Sequence, residues 1–178
     1  MTDWADAISR MVDAQREVRE IDREHLWCHG QPAPPASRER IGLVQARRGV
    51  VLDSQYAEFL VHADGWPAFM QDVDLFGTSD LLGAPFDEAA RLLSTLEPDV
   101  VDAGALDVAA LIPVGASRTG IDLFVMPQAG GSTPNPVIWL AGLEVERYVS
   151  FEEFFPAMIE ENLGEAADLR EGQRESDG

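Results

Sequence analysis

The segment Leu52-Asp53-Ser54-Gln55-Tyr56-Ala57-Glu58-Phe59-Leu60-Val61-His62-Ala63-Asp64-Gly65-Trp66 carries its own start, buried face and stop. Asp53 can cap the first turn, because its carboxylate accepts from amides that have no partner inside a helix. Tyr56, Phe59, Leu60 and Ala63 recur at i, i+3, i+4 and i+7, which places them on one apolar stripe. Gly65 stands where a chain leaving a helix needs a left-handed residue. Trp66 brings a large apolar surface into the turn, and Pro67 stops the helix from continuing. The segment must therefore lie against a core, so the rest of the chain has to supply that core.

The other elements follow the same logic. Trp4 to Trp27 reads as a long amphipathic helix, with Trp4, Ile8, Met11, Val12, Val18, Ile21 and Leu26 at roughly helical spacing. Cys28 to Pro35 is a breaker-rich linker. Ser37 can cap a second helix, carrying Ile41, Leu43 and Val44, that Gly49 ends. Val73–Phe76, Leu111–Gly115, Ile121–Met126, Pro136–Ala141 and Val145–Val149 read as strands. Phe86 to Leu96 reads as a helix. Residues 97–107 are acidic and fit no pattern, and Gln128 to Asn135 is a Gly/Ser/Pro-rich loop. Ser150-Phe151-Glu152-Glu153 fits a capping box ahead of a helix bearing Phe154, Phe155, Met158 and Ile159. From Gly164 the chain is polar and is expected to fray. Helices first, then strands, then a closing helix predict an α+β fold, a mixed and mostly antiparallel sheet packed with helices. The expected organisation is an N-terminal amphipathic helix over 1–30, an α+β domain over 36–163 and a flexible acidic tail over 164–178.

Charge narrows the function classes. The chain of 178 residues carries a formal net charge of −19 and has no Lys. Residues 1–48 hold eight Arg and eight acids; the remainder holds five Arg and twenty-four acids, and 5 − 24 gives the whole −19. Such a chain repels nucleic acid and anionic membranes and attracts a basic protein partner. The acidic start, Met1-Thr2-Asp3-Trp4-Ala5-Asp6, lacks a signal peptide's basic and apolar regions. No apolar run approaches the roughly 18–20 residues of a membrane span. The single cysteine, Cys28, rules out an intrachain disulfide framework. The expected location is the cytoplasm.

Chemical motifs are sparse. Asp22, His25, Cys28 and His29 would share a helix face if the first helix ran that far, and their types suit zinc. The Gly30 and proline run that follows, and the lack of a second His or Cys pair, argue against a metal. No Gly-x-Ser-x-Gly elbow, P-loop or dinucleotide fingerprint is present. Gly130-Gly131-Ser132-Thr133 is glycine-rich, but Pro134 and Pro136 deny it a helix N-terminus. No cofactor is expected. A carboxylate pair for glycoside hydrolysis is the surviving enzymatic alternative. The residues nominated for partner binding are Asp64, Trp66, Asp72, Asp74, Asp80, Asp122, Glu144 and Glu146: acids flanking the apolar segments and one aromatic anchor. The alternative for the acids is a solvated edge that discourages aggregation. For Trp66 it is the core.

Three segments resemble, in the same order, the pattern of the SUKH superfamily, which includes a fungal cell-wall regulator and many bacterial immunity proteins. The first is Leu52–Trp66, with Asp64 in place of the usual Asn before Gly65, and Asp53 where Pro is usual. The second is Ile112-Pro113-Val114-Gly115 followed by Gly120-Ile121-Asp122-Leu123-Phe124. The third is Pro136-Val137-Ile138-Trp139, closing with Ser150-Phe151-Glu152-Glu153-Phe154-Phe155. The resemblance spans about Ala36 to Asn162. It implies a mixed α+β fold and a non-enzymatic role: an immunity protein that binds and blocks a basic toxin effector domain. A regulatory or scaffold module of the same fold, without a toxin partner, is the alternative it leaves open. Oligomeric state is left open as well.

Overall fold

The computed structural model describes residues 2–96, 108–129 and 135–176. The acidic stretch 97–107 and the Gly130–Pro134 part of the glycine-rich loop lie outside those residues. The chain is α+β. Its elements are α1 (Trp4–Ile21), α2 (Arg38–Arg48), α3 (Ser54–His62), β1 (Trp66–Met70), β2 (Val73–Leu75), α4 (Thr78–Leu82), α5 (Ala84–Ser94), β3 (Leu111–Ser117), β4 (Asp122–Pro127), β5 (Val137–Ala141), β6 (Glu144–Tyr148) and α6 (Phe151–Ser176). The six strands form one antiparallel sheet in the order β1-β2-β3-β4-β5-β6, so each strand pairs with its neighbour in sequence. The sheet is thus wholly antiparallel rather than mixed.

The local stop and start signals do their expected work. Asp53 accepts from the amides of Gln55 (2.8 Å) and Tyr56 (3.2 Å) to open α3. Ser37 accepts from the Arg40 amide, and Gly49 closes α2 in the left-handed region at φ 65°. Ser150 accepts from the Glu153 amide at 3.2 Å. These caps are legible in sequence because both partners lie within three residues of each other.

The sheet presents Phe124 and Trp139 toward α6, where Phe124 meets Phe154 with ring centroids 4.9 Å apart. α3 and α1 extend that core: Trp4 packs edge-on against Phe155 (5.4 Å) and Phe59 (5.6 Å), and Tyr56 lies 5.2 Å from Phe151. Trp4, Met11 and Ala14 belong to the same buried core as α3 and α6, and Val18 is buried as well. α5 packs on β3. Such edge-to-face aromatic pairs each add about 0.5–1.5 kcal/mol beyond their area.

Four elements depart from the sequence expectation. α1 ends at Ile21, six residues short of Trp27, because the buried Asp22 turns its carboxylate onto the chain ahead. Trp66 does not end a turn but begins β1, and is 0 % exposed. α4 forms where no helix was expected. The segment after Gly164 is not a frayed tail: α6 continues to Ser176. It lies along α1, with Ala166 buried, Arg170 bonded to Glu17 at 2.5 Å and Gln173 donating to the Ile21 carbonyl at 2.6 Å.

The Asp64-Gly65-Trp66 step owes its form to a backbone crossing. Gly65 sits at φ 86°, and a Cβ there would lie 2.4 Å from the Gly77 nitrogen. A Cβ on Gly77 would in turn lie 2.1 Å from the Asp64 carbonyl oxygen. Gly65→Ala is expected to lose about 2 kcal/mol or more of unfolding free energy, from strain plus overlap. Gly164, by contrast, has open space around its Cα inside α6. Gly164→Ala is expected to gain about 0.5–1 kcal/mol. Urea denaturation of both variants checks the pair, and no gain from Gly164→Ala would mean that α6 frays there.

Candidate functional site

Each of the nominated residues already has an internal task. Trp66 is fully buried and donates its indole N–H to Gln15 Oε1 at 3.0 Å, so it offers no surface to a partner. Asp64 accepts from the Thr78 amide and hydroxyl, both at 2.6 Å, and thereby ties the end of the α3 segment to the start of α4. Asp74 takes a forked pair from Arg118 (2.6 and 2.9 Å) and the Ala68 amide at 2.7 Å. Asp72 accepts from the Ser117 hydroxyl at 2.6 Å and from Thr119. Asp80 accepts from the Gly77 amide at 2.9 Å. Asp122 receives the Trp139 indole N–H at 2.8 Å, and Glu146 receives the Tyr148 hydroxyl at 3.0 Å. Glu144 is gripped by Arg147 at 2.7 and 2.8 Å.

The electrostatics agree with structural roles. At Asp72 burial works to raise the carboxyl, but the hydrogen bonds from Ser117 and Thr119 outweigh it and leave it below its ordinary value. Asp80 is raised, chiefly by burial, with Asp74 and Asp64 close enough to repel its charge. Burial also pushes the Tyr56 phenol well up, with the same Asp80 and Asp64 contributing. The Tyr56 hydroxyl accordingly stays neutral and donates to the Phe76 carbonyl at 2.6 Å.

The residues tested for metal binding do not assemble. Asp22 is buried and accepts from the amides of Leu26 (2.8 Å) and Trp27 (3.0 Å), and faces His29 Nε2 at 3.3 Å. It caps a loop instead of continuing a helix. His25 is exposed at φ 53° within that loop. Among the described residues no group of three or more His, Cys, Asp or Glu is arranged to hold a metal ion. His62, on α3, is exposed and faces Glu58 at 3.7 Å.

The site that sequence reading missed lies between that loop and α6. Glu161, Glu165 and Asp168 stand at i, i+4 and i+7 on α6, one stripe of a helix. They border a cavity of about 150 Å³ whose wall includes the indoles of Trp27 and Trp139. Glu165 accepts from the Trp27 indole (2.7 Å) and the Gln71 amide (3.1 Å), both neutral donors. Glu161 and Asp168 are exposed. Among the described residues none of the three carboxylates pairs with a cation. Arg118, which reaches Cys28 at the cavity, is already forked onto Asp74, and Arg23 lines the adjoining groove without an ion pair to Glu165 or Asp168 among the described residues. Past Glu165 and Asp168 the cavity continues into a groove of about 490 Å³ between the 22–26 loop and α6. The i, i+4, i+7 spacing was present in the sequence. It carried no weight there because the chain beyond Gly164 read as a tail.

No protein-family model matches the chain, and no curated protein matches it significantly. No helix among the described residues is long and apolar enough to cross a membrane.

The two buried-side acids separate by pH. Burial works to raise the Asp22 carboxyl, but the Leu26 and Trp27 amides and His29 outweigh it and hold it below its ordinary value. A depressed carboxyl stabilises the fold above its unfolded value of about 3.9 and loses that contribution as pH falls through the folded value. Asp22→Asn is therefore expected to cost about 1–2 kcal/mol at neutral pH, with the deficit shrinking below about pH 4. A raised carboxyl has the opposite sign, so Asp80→Asn, which keeps an acceptor for Gly77, is expected to be neutral or stabilising at pH 7. Denaturant curves at pH 7 and in acid check both signs.

Proposed function

We propose that this chain is a non-enzymatic binding protein that neutralises a basic protein, in the manner of SUKH-type immunity proteins acting on a toxin effector domain. The reading is carried by one contrast among its acids. Those that flank the strands are engaged by Arg, Ser, Thr, Trp or backbone donors within the chain. On the α6 stripe Glu161 and Asp168 are exposed beside a cavity and, among the described residues, form no ion pair, while the half-buried Glu165 accepts from the neutral Trp27 and Gln71 side chains. Fixed negative charge without an internal counter-charge favours whatever cation arrives, and a net −19 speeds that arrival.

The fold supports the same role. α6 is anchored at its base by the aromatic core and along its length by α1, so the stripe is presented on a rigid element instead of a loop. A rigid charged surface loses little ordering entropy on binding. The three segments that resemble the SUKH pattern form α3 with the start of β1, the β3–β4 pair, and β5 with the start of α6. They build the sheet and core, and the acidic face stands apart from them, as a fold-marking motif and a partner-specific surface should.

Calorimetric titration of the full chain with the effector domain encoded beside its gene tests the proposal. A 1:1 complex is expected, weakening about tenfold or more between about 50 and about 300 mM salt as screening grows. The triple variant Glu161→Gln/Glu165→Gln/Asp168→Asn is expected to bind at least about tenfold more weakly. No complex, or one indifferent to both salt and the triple variant, contradicts it.

A further inference from the structure

We propose that the cavity walled by Trp27 and Trp139 and bordered by Glu161, Glu165 and Asp168 binds the guanidinium group of an arginine side chain carried by a protein partner. This names the group that the acidic face takes from such a partner, and so rests on the reading above.

Three features of the cavity select that ligand. Its size, about 150 Å³, is well above the roughly 10–15 Å³ that one water requires, so it has room for a side-chain head group. Its walls combine two indoles with carboxylates. An indole face attracts a cation through its quadrupole, and a planar guanidinium both stacks on it and forks to a carboxylate. A compact ammonium can do only part of this, because it is held more strongly by water and cannot stack. An anion or a neutral apolar group would meet three carboxylates with nothing to offset them.

The local hydrogen bonds leave the carboxylates available. Glu165 is pinned by Trp27 and Gln71, so its position is fixed while its charge is untouched. Glu161 and Asp168 stand at the mouth, free to close on a cation. His29 also lines the cavity but is turned to Asp22, and Arg118 near Cys28 is held by Asp74, so neither occupies it. The deeper amides are saturated: Gln15 donates to the carbonyls of Ala68 (2.9 Å) and Phe69 (2.8 Å), and Asn162 donates to Phe69 and Met158. The pocket's unsatisfied character is therefore charge and not hydrogen-bonding hunger. The adjoining groove along α6 gives an extended segment on either side of the arginine a place to lie.

The chain has four tryptophans, and their indole N–H signals in a nitrogen–proton correlation spectrum give built-in reporters. Trp27 and Trp139 line the cavity, whereas Trp4 and Trp66 sit in the core. The full chain is titrated with N-acetyl-arginine N-methylamide, with the citrulline analogue as a neutral control of the same shape. Saturable shifts of Trp27 and Trp139 with the arginine compound, and none with citrulline, are expected. The variant Glu161→Gln/Asp168→Asn changes two exposed side chains and keeps the fold. It is expected to raise the dissociation constant about fivefold, as loss of two partly exposed charge contacts predicts. The lysine analogue is expected to bind more weakly than arginine. Absence of shifts, equal shifts with citrulline, equal or tighter lysine binding, or an unchanged constant in the variant would overturn the proposal. Because the arginine compound reads the cavity directly, its success alongside failure of the effector-domain titration would condemn the immunity reading and leave the pocket standing.

Discussion

The buried amide of Gln15 joins the halves of this molecule. β1 bulges at Ala68, which takes φ 50°, and the bulge turns the carbonyls of Ala68 and Phe69 inward, away from a strand partner. Gln15 on α1 donates to both and accepts from the Trp66 indole, while Asn162 on α6 donates to Phe69 at 3.2 Å. Leaving such groups unpaired in the interior costs about 1–3 kcal/mol each. Among the described residues no buried side-chain nitrogen or oxygen lacks a partner. Because the two amides come from different helices and meet at one point of the sheet, they set the register of α1 and α6 against β1. That register decides where the α6 carboxylates and the loop after α1 come to face each other.

Much of the frame was legible in sequence because it is encoded locally. Asp53, Ser37 and Ser150 each cap an amide two or three residues ahead, and Gly49 closes α2 by its own dihedral angle. The alternating and apolar runs gave β2 to β6. What escaped was whatever depends on a distant partner. β1 was hidden by Pro67 and by a bulge whose backbone groups are satisfied by the distant side chains of Gln15 and Asn162 and by Asp74. The end of α1 depended on how the Asp22 side chain spends its two oxygens. The tail read as frayed because Glu, Arg and Gly dominate it, yet Arg170 and Gln173 find Glu17 and the Ile21 carbonyl on a helix some 150 residues earlier.

The nominated acids carry structural bonds for the same reason that they were chosen. They flank apolar strands, and beside a strand the neighbouring turns supply Arg118, Ser117, Thr119, Thr78 and the Trp139 indole. Proximity to the core brought them donors and made them structural. The α6 carboxylates stand on a helix whose inner face is occupied by apolar packing, and the donors that reach Glu165, the Trp27 indole and the Gln71 side-chain amide, are neutral. Composition alone could not separate the two groups, since an acid of either group counts alike toward the net charge of −19.

Both the acidic stripe and the cavity exist only because α6 is a docked helix past Gly164. Amide hydrogen exchange of the free chain, followed by mass spectrometry of peptides covering 162–173, measures this most directly. Docking against α1 predicts slow exchange there, comparable with residues 8–18 of α1. Exchange within seconds across 165–173, as in an unfolded segment, would contradict it.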